Sequence, residues 1–136
     1  MAPLRLRIPI HVSRKQAKKR QMEHSEMYKK GLETRAKVFG EEGEERRKWF
    51  VEIEPDIGRY VTEYVFGELY NRPNMDAKTR EMCILASHIS LARKAEIDHH
   101  VRAAVRLGCT KEEIIEVFIL MSAYAGFSAM HAGLEA

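Results

Sequence analysis

The chain has 136 residues, of which 45% are hydrophobic and 32% charged, and its formal net charge at pH 7 is +3. This length is enough for one small domain with its own core. No apolar run approaches the length of a membrane span, and two cysteines are too few for a disulfide scaffold. The first residues carry no long apolar segment and no small-residue cleavage site, so we expect a cytoplasmic protein without a secretory signal.

The positive charge is concentrated at the N-terminus. Residues 1–20 hold seven of the 23 basic residues and no acidic one, whereas the remainder has 16 basic and 20 acidic residues. We expect a basic arm over residues 1–25 that includes the start of the first helix, followed by a helical domain over residues 26–136. Such an arm can wrap an acidic neighbouring subunit. It has no interleaved aromatic side chain, so nucleic acid is not expected as a partner.

Two helices are predicted in the first half of the chain. Ser13 fits the N-cap of a helix through about Phe39, and Gly40 fits its end. The sequence EEGEERRK that follows is interpreted as a charged link. A second helix is expected over residues 56–69, and the composition of residues 71–74 predicts a turn.

The second half is predicted to be helical throughout. Residues 79–108 indicate two helices linked near residues 91–95, with Thr79 as the first N-cap and Gly108 as the final stop. Thr110 and Glu113 have the spacing of a capping box in front of the apolar run IIEVFILMSAYA. Gly126 breaks that run and a short last helix follows. The fold class is therefore all-α, a bundle of five to six helices without a convincing strand.

The two helices of residues 79–108 carry the side chains best suited to chemistry. Glu81 and His88 are seven residues apart, and Glu96 and His100 are four apart, so each pair lies on one helix face. Side-by-side packing would bring all four into one buried cleft. His99 is 100° around the helix from His100 and is expected to point outward. No recognised metal-ligand spacing is present, so we expect no metal site.

Four segments of the chain form a familiar combination, in the order GLETRAKVFG, FGELYNRPNMDAKTREM, HHVRAAVRLGCTKEEIIEVF and YAGFSA. Together they resemble the carboxymuconolactone decarboxylase family, which belongs to the same superfamily as the AhpD-like alkylhydroperoxidases. The resemblance covers residues 28–132. It implies an AhpD-like all-α bundle that assembles as a homo-oligomer, a hexamer or a trimer.

The peroxidase branch of this superfamily uses a Cys-x-x-Cys pair, whose positions fall here at Arg93 and Glu96. Neither residue is a cysteine, and the two cysteines of this chain are expected on different elements. Peroxidase or disulfide chemistry is therefore not expected. By the same resemblance, Glu81 falls at the position of the relay glutamate and His100 at that of the relay histidine.

The resemblance implies a carboxy-lyase that acts on 4-carboxymuconolactone, or a related small anionic lactone or keto acid, without any cofactor. His100 suits proton transfer to carbon, and Glu81 or Glu96 would set its tautomer. Arg80 or Arg72 suits binding of the substrate carboxylates, because guanidinium binds a carboxylate with two hydrogen bonds. The expected catalytic residues are His100, Glu81 and Glu96, and the expected substrate-binding residues are Arg80, Glu68, Arg72, His88 and His131.

Two alternative functions remain open from the sequence. The first is a family member with different small-molecule chemistry, such as isomerisation or thiol-free handling of hydroperoxides. The second is a non-catalytic oligomer whose basic arm binds nucleic acid or a protein, for which binding to DNA or RNA would depend steeply on salt.

Overall fold

The computed structural model describes residues 25–136, and every regular element in that range is helical. The α-helices are α1 (Glu26–Ile53), α2 (Pro55–Tyr60), α3 (Ala77–Ser90), α4 (Lys94–Arg106), α5 (Lys111–Tyr124) and α6 (Phe127–Leu134). A π-helical segment (Val61–Glu68) and a 3₁₀ turn (Leu69–Asn71) follow α2. The predicted all-α bundle is thus confirmed. The predicted arm and the Ser13 cap lie outside the described residues.

The first helix is longer than its sequence pattern predicts. It begins after Ser25, whose hydroxyl accepts a hydrogen bond from the Tyr28 backbone N–H at 3.0 Å. The predicted break at Gly40 is present, with a φ of 59°, but the predicted link is wrong, because helix resumes through the EEGEERRK sequence. The resumed half is held by ion pairs from Glu42 and Arg46 to α4, and a charge pattern alone does not reveal such partners.

The segment after α2 packs directly on α1. A Cβ atom added to Gly31 would lie 2.1 Å from the carbonyl oxygen of Thr62, so the two backbones approach more closely than any side chain allows. The predicted helix over residues 56–69 is present, but beyond Tyr60 it is π-helical. This close contact places Phe66 and Tyr70 against the centre of the bundle.

Capping residues define the ends of the later helices. The predicted N-cap of α3 at Thr79 is wrong: Asp76 caps the helix, and its carboxylate accepts from the Thr79 backbone N–H at 2.9 Å and from the Thr79 hydroxyl at 2.8 Å. The predicted capping box of Thr110 and Glu113 is confirmed, with both reciprocal hydrogen bonds present. Gly108 adopts a φ of 89° directly after α4, as its predicted role requires.

Helix α4 lies between two buried clusters of apolar side chains. One cluster joins α3, α4 and α5 through residues that include Leu85, Ile97 and Phe118. The other joins α1, the π-helical segment and α4 through residues that include Phe39 and Ala103. A helix covered on both sides buries a wide part of its circumference. No helix within residues 25–136 combines the length and the apolar character needed to cross a bilayer.

Arg35 is a buried cation of α1, with 3% of its surface exposed. Its guanidinium carbon lies 4.7 Å from the ring centroid of Phe66, and its Nε and Nη1 atoms have no hydrogen-bond partner within residues 25–136. Burial, followed by the charges of Arg47 and Arg46, lowers the pKa of Arg35 to about 10. An aromatic ring, rather than a carboxylate, is therefore its main neighbour in this part of the chain.

Candidate functional site

A buried carboxylate and a buried imidazole form the centre of the candidate site. The Oε1 atom of Glu81 lies 2.5 Å from Nδ1 of His100, and the two residues are 0% and 9% exposed. Because an ionised carboxylate only accepts hydrogen bonds, the His100 Nδ1–H donates to it. This bond fixes the ring orientation and leaves Nε2 of His100 as the nitrogen available to a ligand.

Tyr70 extends this pair into a chain of three groups. Its hydroxyl donates to Oε2 of Glu81 at 3.1 Å. Burial, reinforced by the negative charge of Glu81, raises the pKa of Tyr70, so the phenol stays protonated and acts as a donor. The two oxygens of Glu81 are therefore engaged by two different donors, which holds the carboxylate in one orientation.

A second imidazole lies against the first. The ring of His88, in the last turn of α3, stacks on that of His100 with centroids 4.8 Å apart and planes inclined by 27°. The Nδ1 atom of His88 is buried and has no hydrogen-bond partner among the described residues. Burial, together with the neighbouring His100, lowers the pKa of His88, which favours a neutral ring.

Glu96 and Arg46 complete the polar lining. An Nη2–Oε1 contact of 2.5 Å joins Arg46 of α1 to Glu96 at the start of α4. Burial acts to raise the pKa of Glu96, but the hydrogen bond and charge of Arg46 outweigh it and the net shift is downward. One ligand atom each from His88, Glu96 and His100 lies within 4.8 Å of the others. Two imidazoles, two carboxylates and one cation therefore meet between α1, α3 and α4.

The structure brings together four of the predicted site residues, Glu81, His88, Glu96 and His100, and does not bring the other four into direct contact with the histidine pair. Within residues 25–136, none of those other four forms a hydrogen bond, ion pair or ring contact with the histidine pair. They are Glu68, Arg72, Arg80 and His131. The Nη2 atom of Arg80 donates instead to the carbonyl oxygens of Arg72 and Met75, at 2.9 and 3.0 Å. The exposed His131 ring has Glu135 as its neighbour, at 3.7 Å.

The predicted outward orientation of His99 is wrong. Only 6% of His99 is exposed, and its ring stacks on Phe39 with centroids 4.1 Å apart. Its Nδ1 atom lies 2.8 Å from Oε1 of Glu42. Burial lowers the pKa of His99 despite the opposing bond to Glu42. Because α4 is covered on two sides, its neighbouring positions 99 and 100 are both buried, which a one-sided amphipathic helix would not allow.

Sequence reasoning missed two residues of the site, Tyr70 and Arg46. Tyr70 lies in GELYNR, between two residues that were selected for their charge. Arg46 lies in the segment interpreted as a link. Its spacing of four residues from Glu42 is the signal that could have indicated a helix face directed at a common neighbour.

Comparisons with known proteins agree with this architecture. Residues 55–136 match the sequence model of the carboxymuconolactone decarboxylase family. The chain is 32% identical to a 4-carboxymuconolactone decarboxylase of Acinetobacter baylyi over 115 residues, which covers 84% of this chain and 86% of that protein.

Two further relatives are more distant or shorter in overlap. An uncharacterised 15.0 kDa protein of Paracoccus denitrificans is 36% identical over 83 residues, 60% of this chain and 62% of that protein. A nitrosuccinic acid decarboxylase of Metarhizium robertsii is 28% identical over 104 residues, 76% of this chain and 73% of that protein. Two of the three relatives are named decarboxylases, which supports a carboxy-lyase, and the resemblance noted from the sequence is confirmed.

Proposed function

The chain belongs to the carboxymuconolactone decarboxylase family, and from that premise we propose that it removes carbon dioxide from 4-carboxymuconolactone or a related small anionic lactone or keto acid. The observation that carries the proposal is the buried chain from Tyr70 through Glu81 to His100. An ionisable pair shielded from water, with one ring nitrogen left free, is suited to moving a proton.

The reaction breaks the bond between carbon and the departing carboxylate. The electron pair left behind is delocalised into the unsaturated lactone carbonyl as an enolate, and a carbon atom then takes up a proton. His100 supplies this proton from Nε2 in its doubly protonated form and keeps the Nδ1–H on Glu81 afterwards. The ionised Glu81 is the counter-charge of the imidazolium before transfer, and it holds the ring in the orientation for transfer.

Arg46 is the cation best placed to attract the substrate carboxylates. Its guanidinium is held beside the histidine pair by Glu96, whereas Arg80 uses Nη2 on two backbone carbonyls. A guanidinium presents several donors and can bind Glu96 and a second carboxylate together. This arrangement supports an anionic substrate, and we propose for Arg46 the role that the sequence suggested for Arg80 or Arg72.

The direct test is turnover of 4-carboxymuconolactone by the purified protein, followed by lactone absorbance and release of carbon dioxide. We expect His100→Gln to lower kcat by about 100-fold or more, because general acid catalysis typically contributes that much. His131→Gln, which changes an exposed histidine, is the matched control and should keep full activity. Equal turnover by His100→Gln and the wild type would refute the role of His100.

If the wild-type protein does not turn over 4-carboxymuconolactone, this lactone is refuted as the substrate. Nitrosuccinic acid is the second compound to test, because a relative named for that activity covers three quarters of the chain. It is also a small anion with a departing carboxylate, so the same cation and proton donor would serve it.

We also propose that the subunit assembles with copies of itself. Helices α5 and α6 expose apolar side chains that one subunit leaves uncovered, namely Ile115, Ile119, Leu120, Tyr124, Phe127 and Leu134. A contiguous apolar surface of this kind is typical of interfaces. Light scattering on the protein as it elutes from a size-exclusion column should give a mass that is a multiple of the 15.8 kDa chain mass. A monomer at micromolar concentration would refute the assembly.

A further inference from the structure

We propose that His88, Glu96 and His100 form a binding site for a divalent transition-metal ion, with Zn²⁺ as the best-matched species. This goes beyond the proposed reaction, which needs no metal, and the binding claim does not depend on that reaction. Two imidazole nitrogens and one carboxylate oxygen are a ligand set that zinc proteins use when a fourth position stays open. Imidazole-rich sets select zinc, copper and nickel over magnesium or calcium.

The distances are compatible with coordination after a small closure. One ligand atom from each side chain already lies within 4.8 Å of the other two. A tetrahedral zinc with bonds of about 2.0–2.2 Å needs ligand atoms roughly 3.3–3.6 Å apart. The difference is about 1 Å, which side-chain rotation in Glu96 and His88 can supply without movement of the helices.

The surroundings of His100 match those of a metal ligand. Its Nδ1–H is bound to Glu81, which leaves Nε2 to face an ion, and Tyr70 in turn orients Glu81. Metal-bound histidines almost always donate their other ring N–H to a carboxylate, carbonyl or water, and this fixes their tautomer. Arg46 holds Oε1 of Glu96 in the same way, so that Oε2 remains for the ion.

The ring of His88 supplies a second observation in favour of the metal site, independent of the distances. Its Nδ1 atom is buried and unpartnered among residues 25–136, although a buried polar atom without a partner normally costs free energy. Residues 25–136 therefore leave hydrogen-bonding capacity on this ring unused, next to two groups competent to bind metal.

The sequence spacing explains why no metal motif was visible. Glu96 and His100 are four residues apart on α4, whereas His88 comes from the last turn of α3. The three side chains meet only because the turn between α3 and α4 lets the two helices pack against each other. A metal on Nε2 of His100 would occupy the position from which the proposed proton transfer takes place, so metal and substrate proton would compete.

The test is titration of the chelator-treated protein with Zn²⁺ by calorimetry, and with Co²⁺ by visible absorption. We expect one ion per chain, with Co²⁺ bands typical of four- or five-coordination. His88→Gln and Glu96→Gln should each weaken Zn²⁺ affinity at least tenfold. His131→Gln is the control, since that exposed histidine lies outside the cluster and should leave affinity unchanged. Circular dichroism of each variant confirms its helical content before titration.

Wild-type binding of less than half an ion per chain would overturn the proposal, as would unchanged affinity in His88→Gln or Glu96→Gln. A variant that fails to fold is replaced by His88→Asn, which keeps a polar side chain but withdraws the ligand atom. Thermal unfolding is the second readout, because an ion that binds only the folded state raises the unfolding temperature. Zn²⁺ should stabilise the wild type and not His88→Gln, and equal stabilisation of both would overturn the site.

The decarboxylation proposal and the metal-binding proposal fail separately. Zinc binding without lactone turnover would refute the proposed substrate and leave the metal site standing. Turnover without zinc binding would refute the metal site alone. Where both occur, zinc should inhibit turnover with a midpoint equal to its dissociation constant, and a chelator should restore the activity. Undiminished turnover at saturating zinc would show that the ion does not bind on Nε2 of His100.

Discussion

Two neighbouring histidines on α4 lie in opposite settings. His99 faces α1, stacks on Phe39 and pairs with Glu42, whose side chain is 44% exposed. His100 faces α3, where Glu81 is wholly buried and a second imidazole stacks on the ring. Both rings pair with a carboxylate through Nδ1, so the pairing itself does not distinguish them. What differs is the access of water to the carboxylate.

We interpret this difference in water access as the difference between a structural histidine, His99, and one suited to chemistry, His100. The hydrogen bonds of Arg102 and His99 lower the pKa of Glu42 to about 2, and solvent reaches this carboxylate. Such a pair contributes modestly to stability. A buried carboxylate next to two imidazoles gains no such solvation and is costly to keep. The contact between Glu42 and His99 is therefore ordinary packing between α1 and α4, whereas the buried pair of Glu81 and His100 carries a cost in free energy that the proposed proton transfer would explain.

The largest effect is expected from Phe39, which contacts both histidines. Its ring stacks on His99 and meets the edge of His100, with centroids 5.4 Å apart. Phe39→Ala should lower the free energy of unfolding by about 3–5 kcal/mol, as large buried aromatic truncations do, and should impair turnover as well. Urea unfolding measures the first effect. Tyr64→Ala, at a 56% exposed position, is the control. A loss below about 1 kcal/mol for Phe39→Ala would contradict its contact with both histidines.

Glu81→Gln should affect the chemical side alone. The amide keeps the shape: its oxygen can accept from the His100 Nδ1–H while its NH2 donates to the phenol oxygen of Tyr70, but the counter-charge of the imidazolium is gone. We expect kcat to fall about 100-fold, with stability unchanged or raised because a buried charge is gone. Steady-state kinetics and thermal unfolding on the same sample test this. Glu116→Gln on the exposed face of α5 is the control, and undiminished kcat would contradict the assignment.

Tyr70→Phe should produce a smaller loss on the same side. The variant removes one donor to Glu81 and leaves the His100 bond in place. A hydrogen bond of this strength supports a fall in kcat of about tenfold. Tyr64→Phe, at a 56% exposed position, should have no effect. A loss as large as that of Glu81→Gln would mean that Tyr70 itself contacts the substrate.

The smallest expected effect is a loss of folding stability in acid, to which His99, on the side of α4 that faces α1, contributes. Burial lowers the pKa of His99 from its ordinary 6.5, so below that pH the unfolded chain binds a proton more readily than the folded one. Stability should fall as the pH drops from 7 toward 5. His88 acts in the same direction. The bonded Glu42 adds a further loss between its ordinary 4.5 and about 2.

Unfolding midpoints at pH 7.5, 6 and 5 test this dependence. His99→Gln should flatten the loss between pH 7 and 5, because it removes one of the groups that takes up a proton on unfolding. Stability that stayed constant or rose on acidification of the wild type would contradict the buried neutral state of His99.

Local signals in the sequence were sufficient for much of the fold. The capping box at Thr110 and the stop at Gly108 were predicted because both depend on residues within one turn of each other. The spacing of Glu81, His88, Glu96 and His100 likewise defined one face on each of two helices. Packing of α3 against α4 then brings these faces together, as predicted.

What the sequence did not reveal depends on long-range packing. The second half of α1 is polar on its own and is helical because Glu42 and Arg46 find partners 57 and 50 residues away. The burial of His99 has the same origin, since it requires α1 to cover a second side of α4. Tyr70 was missed because a phenol within an apolar segment is usually a packing residue, and only the position of Glu81 makes it a donor.

The most direct test of this account compares His99→Gln and His100→Gln side by side, with thermal unfolding and decarboxylation measured on each. We predict that His100→Gln loses turnover by about 100-fold or more per folded molecule, whatever change it causes in the unfolding temperature. His99→Gln should lower the unfolding temperature and retain turnover per folded molecule. The reverse pattern, or equal losses of both properties in both variants, would contradict the division of α4 into a structural and a chemical side.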